Sequence, residues 1–436
     1  MKKLFILTAI ICVVFVANSC RKLDLSHLHH GDPNQNVPDA PVALDWYKLQ
    51  LRILLERNSS LNAAYFGYIG IGLYESVRHG INNSVSLSKA LYQMPEMPVI
   101  DNSKTYNWQV SANATMASMI RAYNTGLTPA NLASIDSLEN AYNEKLHSQA
   151  GADFSRSQVF GRSIATAVYN WSLTDAFNPT NTGWVPPIFV GAWVPTPPAY
   201  ANGINPFVSS ARPFLEADLT TVASPFPAPY SEDPNSDFYK IEKTVYNVSL
   251  TLTTEQKNTA LFWVDQGNGT AYTPGGHDFS IVTQALEQTN ASLAVAAEAY
   301  AKAGIAERDA TIVCFRSKYA YNVLRPVTYI RRLINPDWLP FIPTPPHPEY
   351  PAAHALITGS VMEALSKVLG DKVSITDHTY DFLGLTPRKY NTIFAAGEEA
   401  GMSRLYGGIH CLVSINTGLA MAQDLGDKIG KIKLHN

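Results

Sequence analysis

The 436-residue chain is poor in cysteine, carries no surplus of either charge and, past its first 16 residues, lacks any long apolar run. Its 4 cysteines fall at no spacing with histidine that suits a zinc site. With 33 basic against 36 acidic residues and a net charge of −3, nothing suggests a surface for nucleic acid or another polyanion. The absence of a second uninterrupted apolar stretch long enough to cross a bilayer argues against a multi-span membrane protein. Strand signals are few and short, and no repeat of fixed period is evident. What is present is a hydrophobic fraction of 46%, which agrees with an exported globular body.

The N-terminus indicates where that body works. Lys2-Lys3 precede an apolar run from Leu4 to Val16, too short for a comfortable span and shaped like the core of a secretory signal. Ala17-Asn18-Ser19-Cys20 follows and resembles a bacterial lipoprotein processing site. Residues 1–19 are therefore expected to be a lipoprotein signal peptide and Cys20 a lipidated N-terminus; ordinary cleavage after Ser19, with Cys20 a free thiol, is the alternative. Residues 20–41, polar and carrying His27, His29 and His30, read as a flexible tether. The chain is thus expected to be an exported bacterial lipoprotein, periplasmic or outer-membrane anchored, touching a membrane only through its lipid. Cys12 leaves with the signal. Cys314 and Cys411 read as small buried thiols, with a disulfide between them as the alternative.

Residues 42–436 read as one all-α domain. Apolar residues at helical intervals place helices at 42–56, 62–78, 107–124, 130–149, 155–174, 236–266, 280–303, 307–334, 354–369, 388–405 and 410–431. The segment 62–78 has an apolar face rich in small residues. Between about 175 and 235 lie about twelve of the 28 prolines, with Trp184 and Trp193. A loop this long in a compact domain often shapes a functional site, so it is expected to be an ordered collar, or else a structural wrap.

The last third of the chain gathers three cations and two imidazoles. A helix through 307–334 would carry Lys318 and Arg325 on one face, seven residues apart, with Pro326 favouring an end or bend just after. Pro351 suits a helix start, placing His354 in a first turn whose free amides favour an anion. Arg404 and His410 would diverge on a continuous helix, but Gly407-Gly408 can break it and let them converge. Each block alone reads equally as a solvated helix face or an ordinary histidine. Together, three cations gathered without a counter-anion would be costly, by several kcal/mol for each one buried unpaired, and an oxyanion explains them better.

The motifs Lys318 through Arg325-Pro326, Pro351-Ala352-Ala353-His354 and Ser403-Arg404 through His410 resemble the superfamily of vanadium haloperoxidases and type 2 phosphatidic acid phosphatases. The flanking Trp193-Val194-Pro195-Thr196-Pro197-Pro198, Arg212-Pro213-Phe214 and Pro345-Pro346-His347-Pro348-Glu349-Tyr350 resemble its bacterial haloperoxidase branch. The likeness runs from about residue 40 to the end. It implies helical bundles with a Pro-rich loop insertion and a single oxyanion socket. It further implies that His410 is the vanadate ligand, that Lys318, Arg325, Arg404 and the Ala353 amide hold the oxygens, and that His354 moves protons. Lys318 would polarise hydrogen peroxide for attack by halide, with a small organic molecule as acceptor; a homodimer is compatible with relatives. The phosphatase branch implies instead that His410 attacks a phosphomonoester and His354 protonates the leaving alcohol.

Two departures bear on turnover. Ala352 stands where the family has a serine, removing one hydroxyl donor at a cost of roughly 1 to 2 kcal/mol of anion binding. Ser414 stands where the family has an aspartate to orient the histidine, which weakens the nucleophile role of His410 more than the ligand role. The chain is therefore expected to be a vanadate-dependent haloperoxidase; the alternatives are an exported acid phosphatase using a phosphohistidine and an oxyanion-binding lipoprotein without turnover. Gly275-Gly276-His277-Asp278 is expected to be a turn with a surface histidine; the alternative, which the resemblance implies, is a third imidazole at the pocket mouth. Phe315 is expected on the pocket wall, with an influence on halide choice.

Overall fold

The computed structural model describes residues 40–57, 64–177, 180–266 and 269–435. The signal segment, Cys20 and the histidines of the tether lie outside them. The described chain enters helix α1 (Pro41–Arg57) at once, followed by α2 (Ala64–Val77), α3 (Trp108–Tyr123), α4 (Pro129–Ala150) and α5 (Phe154–Ser172). After the Pro-rich segment come α6 (Asp237–Leu250), α7 (Thr254–Phe262), α8 (Pro274–Gln288), α9 (Leu293–Tyr321) and α10 (Pro326–Leu333). The chain closes with α11 (Ala353–Leu369), the antiparallel pair β1 (Ile375–Asp377) and β2 (Arg388–Tyr390), then α12 (Phe394–Tyr406) and α13 (Leu412–Gly430). Among the described residues the protein is all-α apart from that ribbon, and no helix is long and apolar enough to cross a membrane.

Side-chain caps define many of the starts. Asn107, Thr128, Ser236, Thr253, Thr273 and Ser292 each accept a hydrogen bond from a first-turn amide, and Gln256 completes a reciprocal box with Thr253. Such a cap is worth about 1 kcal/mol. They also divide elements that periodicity had joined: the expected helix 236–266 is two, split before Thr253, and the expected 280–303 and 307–334 become α8, α9 and α10. The segment expected as one helix from 388 opens with β2 before α12 begins at Phe394.

Helix α9 is the spine, packing on α2 along one side and α11 along another. Glycine makes the first contact possible, since a Cβ on Gly70 would lie 2.4 Å from the Tyr300 carbonyl oxygen and one on Gly304 would lie 2.7 Å from the Gly67 Cα. The backbones therefore touch where side chains would hold them apart. Helices α3 and α5 complete the group around α2, and α12 and α13 the group around α11. One hydrophobic core runs through both.

The Pro-rich segment is tied to the end of α9. Trp193 N–H donates to Asn322 O at 2.6 Å and Leu324 N–H to Gly191 O at 3.2 Å, while the Phe214 and Leu215 amides donate to the Asp309 carboxylate at 2.6 and 2.8 Å. Asn322, left-handed at φ 46°, ends α9 one turn after Lys318. Lys318 and Arg325 consequently do not share a helix: Pro326 occupies the first position of α10, and Arg325 is the extended residue before it.

Candidate active site

A cavity of about 860 Å³ opens between the helix ends, lined by Ala353, His354, Arg404 and His410 and walled in part by Phe315, Phe66 and Phe177. Ile204, Asn205 and Val208 of the Pro-rich segment form another stretch of its wall, so that segment both wraps α9 and borders the cavity. Ala353 and His354 open α11, whose preceding residue Ala352 supplies no side-chain cap; the first-turn amides thus remain available to an anion.

His410 sits in the turn between α12 and α13 that Gly407 and Gly408 allow, with Gly408 at φ 74°. Both ring nitrogens are engaged. Glu349 Oε1 accepts from Nδ1–H at 3.0 Å, and Arg325 Nη1 donates to Nε2 at 3.1 Å. An arginine can only donate, so Nε2 carries the lone pair and Nδ1 the proton. Burial and then the Arg325 and Lys318 charges push the His410 pKa well below its ordinary value, keeping the ring neutral.

The cations are fully or almost fully buried and bonded chiefly to backbone. Lys318 Nζ donates to the carbonyls of Pro348 and Glu349 at 2.8 and 2.9 Å. Arg325 donates to the carbonyls of His347 and Ile409 at 2.8 and 2.9 Å and, through Nη2, to His347 Nδ1 at 3.0 Å. Arg404 donates through Nη2 to Trp263 O and accompanies Ser403 Oγ at 2.9 Å from Nε. Burial lowers all three, Lys318 to about 7 and each arginine to about 10. The expectation of wholly uncompensated positive charge is corrected by two buried carboxylates, Glu349 beside Lys318 and Arg325, and Asp265 beside Arg404. Burial pushes the Glu349 carboxyl up, with Lys318 and Arg325 opposing.

His354 belongs to a second network. Its Nε2 lies 3.1 Å from Asp265 Oδ2, while Asp265 Oδ1 accepts from His277 Nδ1–H at 2.9 Å and from the Tyr380 hydroxyl at 2.5 Å. His277 Nε2 reaches Asp377 Oδ2 at 2.8 Å, and its ring stacks on Trp263 with centroids 4.3 Å apart. His277 is neither at the pocket mouth nor on a surface turn: it is fully buried, and Pro274 and Gly275 border the cavity in its place. Burial disfavours its charge but the two carboxylates prevail, raising it to about 10. His354 goes the other way, lowered to about 4 by burial and then by Arg404, with Asp265 opposing. Asp265 itself holds a left-handed φ of 46°. Nearby, Asp278 and Glu307 share a hydrogen bond, and burial pushes both carboxyls up.

Of the five expected site residues, His354, Arg404 and His410 line one cavity and Arg325 bonds His410, while Lys318 and Arg325 are fully buried and do not figure in its lining; Phe315 lies on the cavity wall as anticipated. Among known proteins, residues 298–337 and 332–434 match the family described as the VCPO second helical-bundle domain. A solved bacterial vanadium-dependent iodoperoxidase is 30% identical, over 92% of this chain and 97% of that one, with a TM-score of 0.81. The chain belongs to the vanadium haloperoxidase family. Apo-type and holo-type structures of a bacterial vanadium-dependent chloroperoxidase share the fold at 15% and 14% identity, with TM-scores of 0.59 and 0.57. They align over 85% and 93% of this chain and over 92% and 96% of theirs. No curated protein matches.

Within this haloperoxidase fold, Glu349, His347, Asp265 and Asp377 were not assigned roles from sequence. Glu349 and His347 stood inside the Pro345–Tyr350 run, but nothing local marks them as partners of residues far along the chain. Cys314 and Cys411 are free, buried thiols.

Proposed function

We propose that this protein is a vanadate-dependent haloperoxidase that oxidises halide with hydrogen peroxide and passes the oxidised halogen to a small organic acceptor. The observation that carries this reading is the His410 imidazole, neutral, with its Nε2 lone pair fixed by Glu349 at one nitrogen and Arg325 at the other, beside three buried cations. That donor set suits a tetrahedral oxyanion that also accepts a nitrogen ligand. Bound vanadate would supply a Lewis acid that makes peroxide electrophilic toward halide.

The chain's own residues then have distinct tasks. His410 Nε2 is the ligand atom, and Arg325 Nη1, which donates to that lone pair, would have to turn to a vanadate oxygen. Lys318, Arg325, Arg404 and the free amides at Ala353 and His354 would balance the oxygen charges, the three side chains being already held at the site by backbone carbonyls. His354, with Nε2–H given to Asp265, keeps Nδ1 as the atom that takes and returns a proton. The aromatic wall formed by Phe66, Phe177 and Phe315 limits water and offers an apolar seat to the organic acceptor. Because the iodoperoxidase relative is named for iodide, iodide is the first halide to try.

One observation favours a second reading. Glu349 gives His410 the carboxylate that Ser414 denies it, which restores the orientation a phosphohistidine mechanism needs. Loading the purified chain with orthovanadate and comparing peroxide-dependent iodination of a phenol with hydrolysis of an aryl phosphate separates the two. Vanadate-dependent halogenation, falling to background in His410→Ala, is expected. Hydrolysis that vanadate inhibits would replace this reading with the phosphatase, and vanadate binding without either activity would leave an oxyanion binder. We propose further that Cys20 is lipidated after export; Cys20→Ser should move the protein from the membrane to the soluble periplasmic fraction.

A further inference from the structure

We propose that Glu349 is the positioning residue of His410, doing from the segment before α11 what an aspartate four residues after the histidine does in the family pattern. The proposal rests on the reading of His410 as the vanadate ligand. Position 414 lies in the first turn of α13, where the serine hydroxyl is 3.5 Å from the Glu349 carbonyl oxygen and the serine carbonyl accepts from Ala352 N–H at 3.2 Å. Side chains from 349 and 414 therefore start in the same neighbourhood, and this chain places its carboxylate on the other strand of backbone.

The geometry is that of an orienting group. Glu349 Oε1 accepts from His410 Nδ1–H and from the Cys411 amide, each at 3.0 Å, so one oxygen fixes both the ring and the backbone next to it. Glu349 is fully buried, and its Oε2 has no hydrogen-bond partner among the described residues. Lys318 clamps the Pro348 and Glu349 carbonyls, holding the backbone from which the carboxylate extends. Lys318 thus holds the backbone of the residue that aims the histidine.

A carboxylate here has two possible effects with opposite signs. As a negative charge beside Lys318 and Arg325 it weakens the attraction for any anion. As an acceptor for Nδ1–H it keeps Nε2 aimed and electron-rich, which matters only to an anion that bonds the nitrogen. Vanadate does so; inorganic phosphate, held through its oxygens, does not. The ratio of their affinities therefore reports the positioning role apart from the electrostatic one.

The experiment is calorimetric titration of the full chain with orthovanadate and, separately, inorganic phosphate. Glu349→Gln keeps an oxygen that can accept from Nδ1–H but removes the charge that makes Nε2 electron-rich, so it should weaken vanadate by about 10-fold, the lower end of the range for loss of such a partner, and leave phosphate unchanged or tighter. Adding Ser414→Asp to that variant should recover most of the vanadate affinity. Glu349→Asp, which keeps the charge but retracts it by one methylene, should show the same vanadate-selective loss and serves if the glutamine variant folds poorly. Equal losses for both anions, or unchanged vanadate binding in the Glu349 variants while His410→Ala loses it, would overturn the positioning role alone. Vanadate binding undiminished in His410→Ala would instead overturn the ligand reading and the proposal with it.

Discussion

His410 and His354 line one cavity yet are wired in opposite ways. His410 has a carboxylate at one nitrogen and an arginine at the other, so its proton stays on Nδ1 and its lone pair on Nε2. His354 has a carboxylate at Nε2 and, among the described residues, no second side-chain partner of that kind; behind its carboxylate stands another imidazole, His277, and behind that Asp377. The first arrangement holds a ring still as a donor of electrons. The second ties a ring to a buried series of groups whose charges alternate, which suits a proton acceptor that must return to the same state each cycle. Two imidazoles with the same intrinsic chemistry are separated by what their far nitrogens touch.

The largest expected effect breaks the pair apart. His354→Ala should lower the turnover of the vanadate-loaded protein by about 10²- to 10⁴-fold, the usual worth of a general acid–base group, while the calorimetric affinity for vanadate changes far less. His410→Ala should abolish the binding itself. If both variants lose binding equally, or both keep it, the division of labour between ligand and proton carrier is wrong.

A second prediction concerns the support behind His354. His277→Gln leaves Asp265 and Asp377 buried without their shared cation, and breaking a buried pair of this kind costs about 3–5 kcal/mol. The effect should depend on pH. His277 titrates at about 10 in the fold against 6.5 for a free imidazole, so its contribution is complete below pH 6.5 and is lost as the pH rises toward 10. Asp265 and Asp377, both held below the ordinary carboxylate value once His277 is charged, add stability that is present above pH 4 and lost as they protonate in acid. Urea unfolding should therefore separate parent and variant most at pH 5–6 and progressively less toward pH 10. A gap that is the same at pH 6 and pH 9.5 would show that packing on Trp263, not charge, is what His277 contributes.

The two networks were unequally legible in the sequence. The cations and the two histidines stand in short linear motifs, and the glycine pair and Pro351 near them are local signals of a turn and a helix start. Their carboxylates are not local. Glu349 meets His410 across 61 residues and Asp265 meets His354 across 89, distances over which only the packing of α9, α11 and α13 decides who is adjacent. Periodicity found most helices and misplaced the joints. The Thr253–Gln256 box that starts α7 was readable as a capping signature, as was Ser292 before α9. Pro326 was read as an end when it is a first residue, because proline suits both positions, and the actual stop depends on Asn322 adopting a left-handed backbone that Trp193 N–H and Val323 help to hold.

The smallest expected effect tests whether the cavity wall is independent of either histidine. Phe315 packs with Ile312, Val208 and Ala211 and presents its ring to His347 at a centroid distance of 5.4 Å and an interplanar angle of 65°. His347 in turn accepts from Arg325 Nη2, so the wall touches the cradle at one remove. Phe315→Leu keeps an apolar side chain and should cost less than about 1.5 kcal/mol in stability. Its removal of an aromatic edge should change the KM for halide or organic acceptor by a few-fold, on the order of 1 kcal/mol, with the vanadate affinity unmoved because neither Nδ1 nor Nε2 of His410 depends on the ring. If vanadate affinity falls along with KM, then His347 transmits the wall's position to Arg325, and the cradle is less rigid than its buried hydrogen bonds imply.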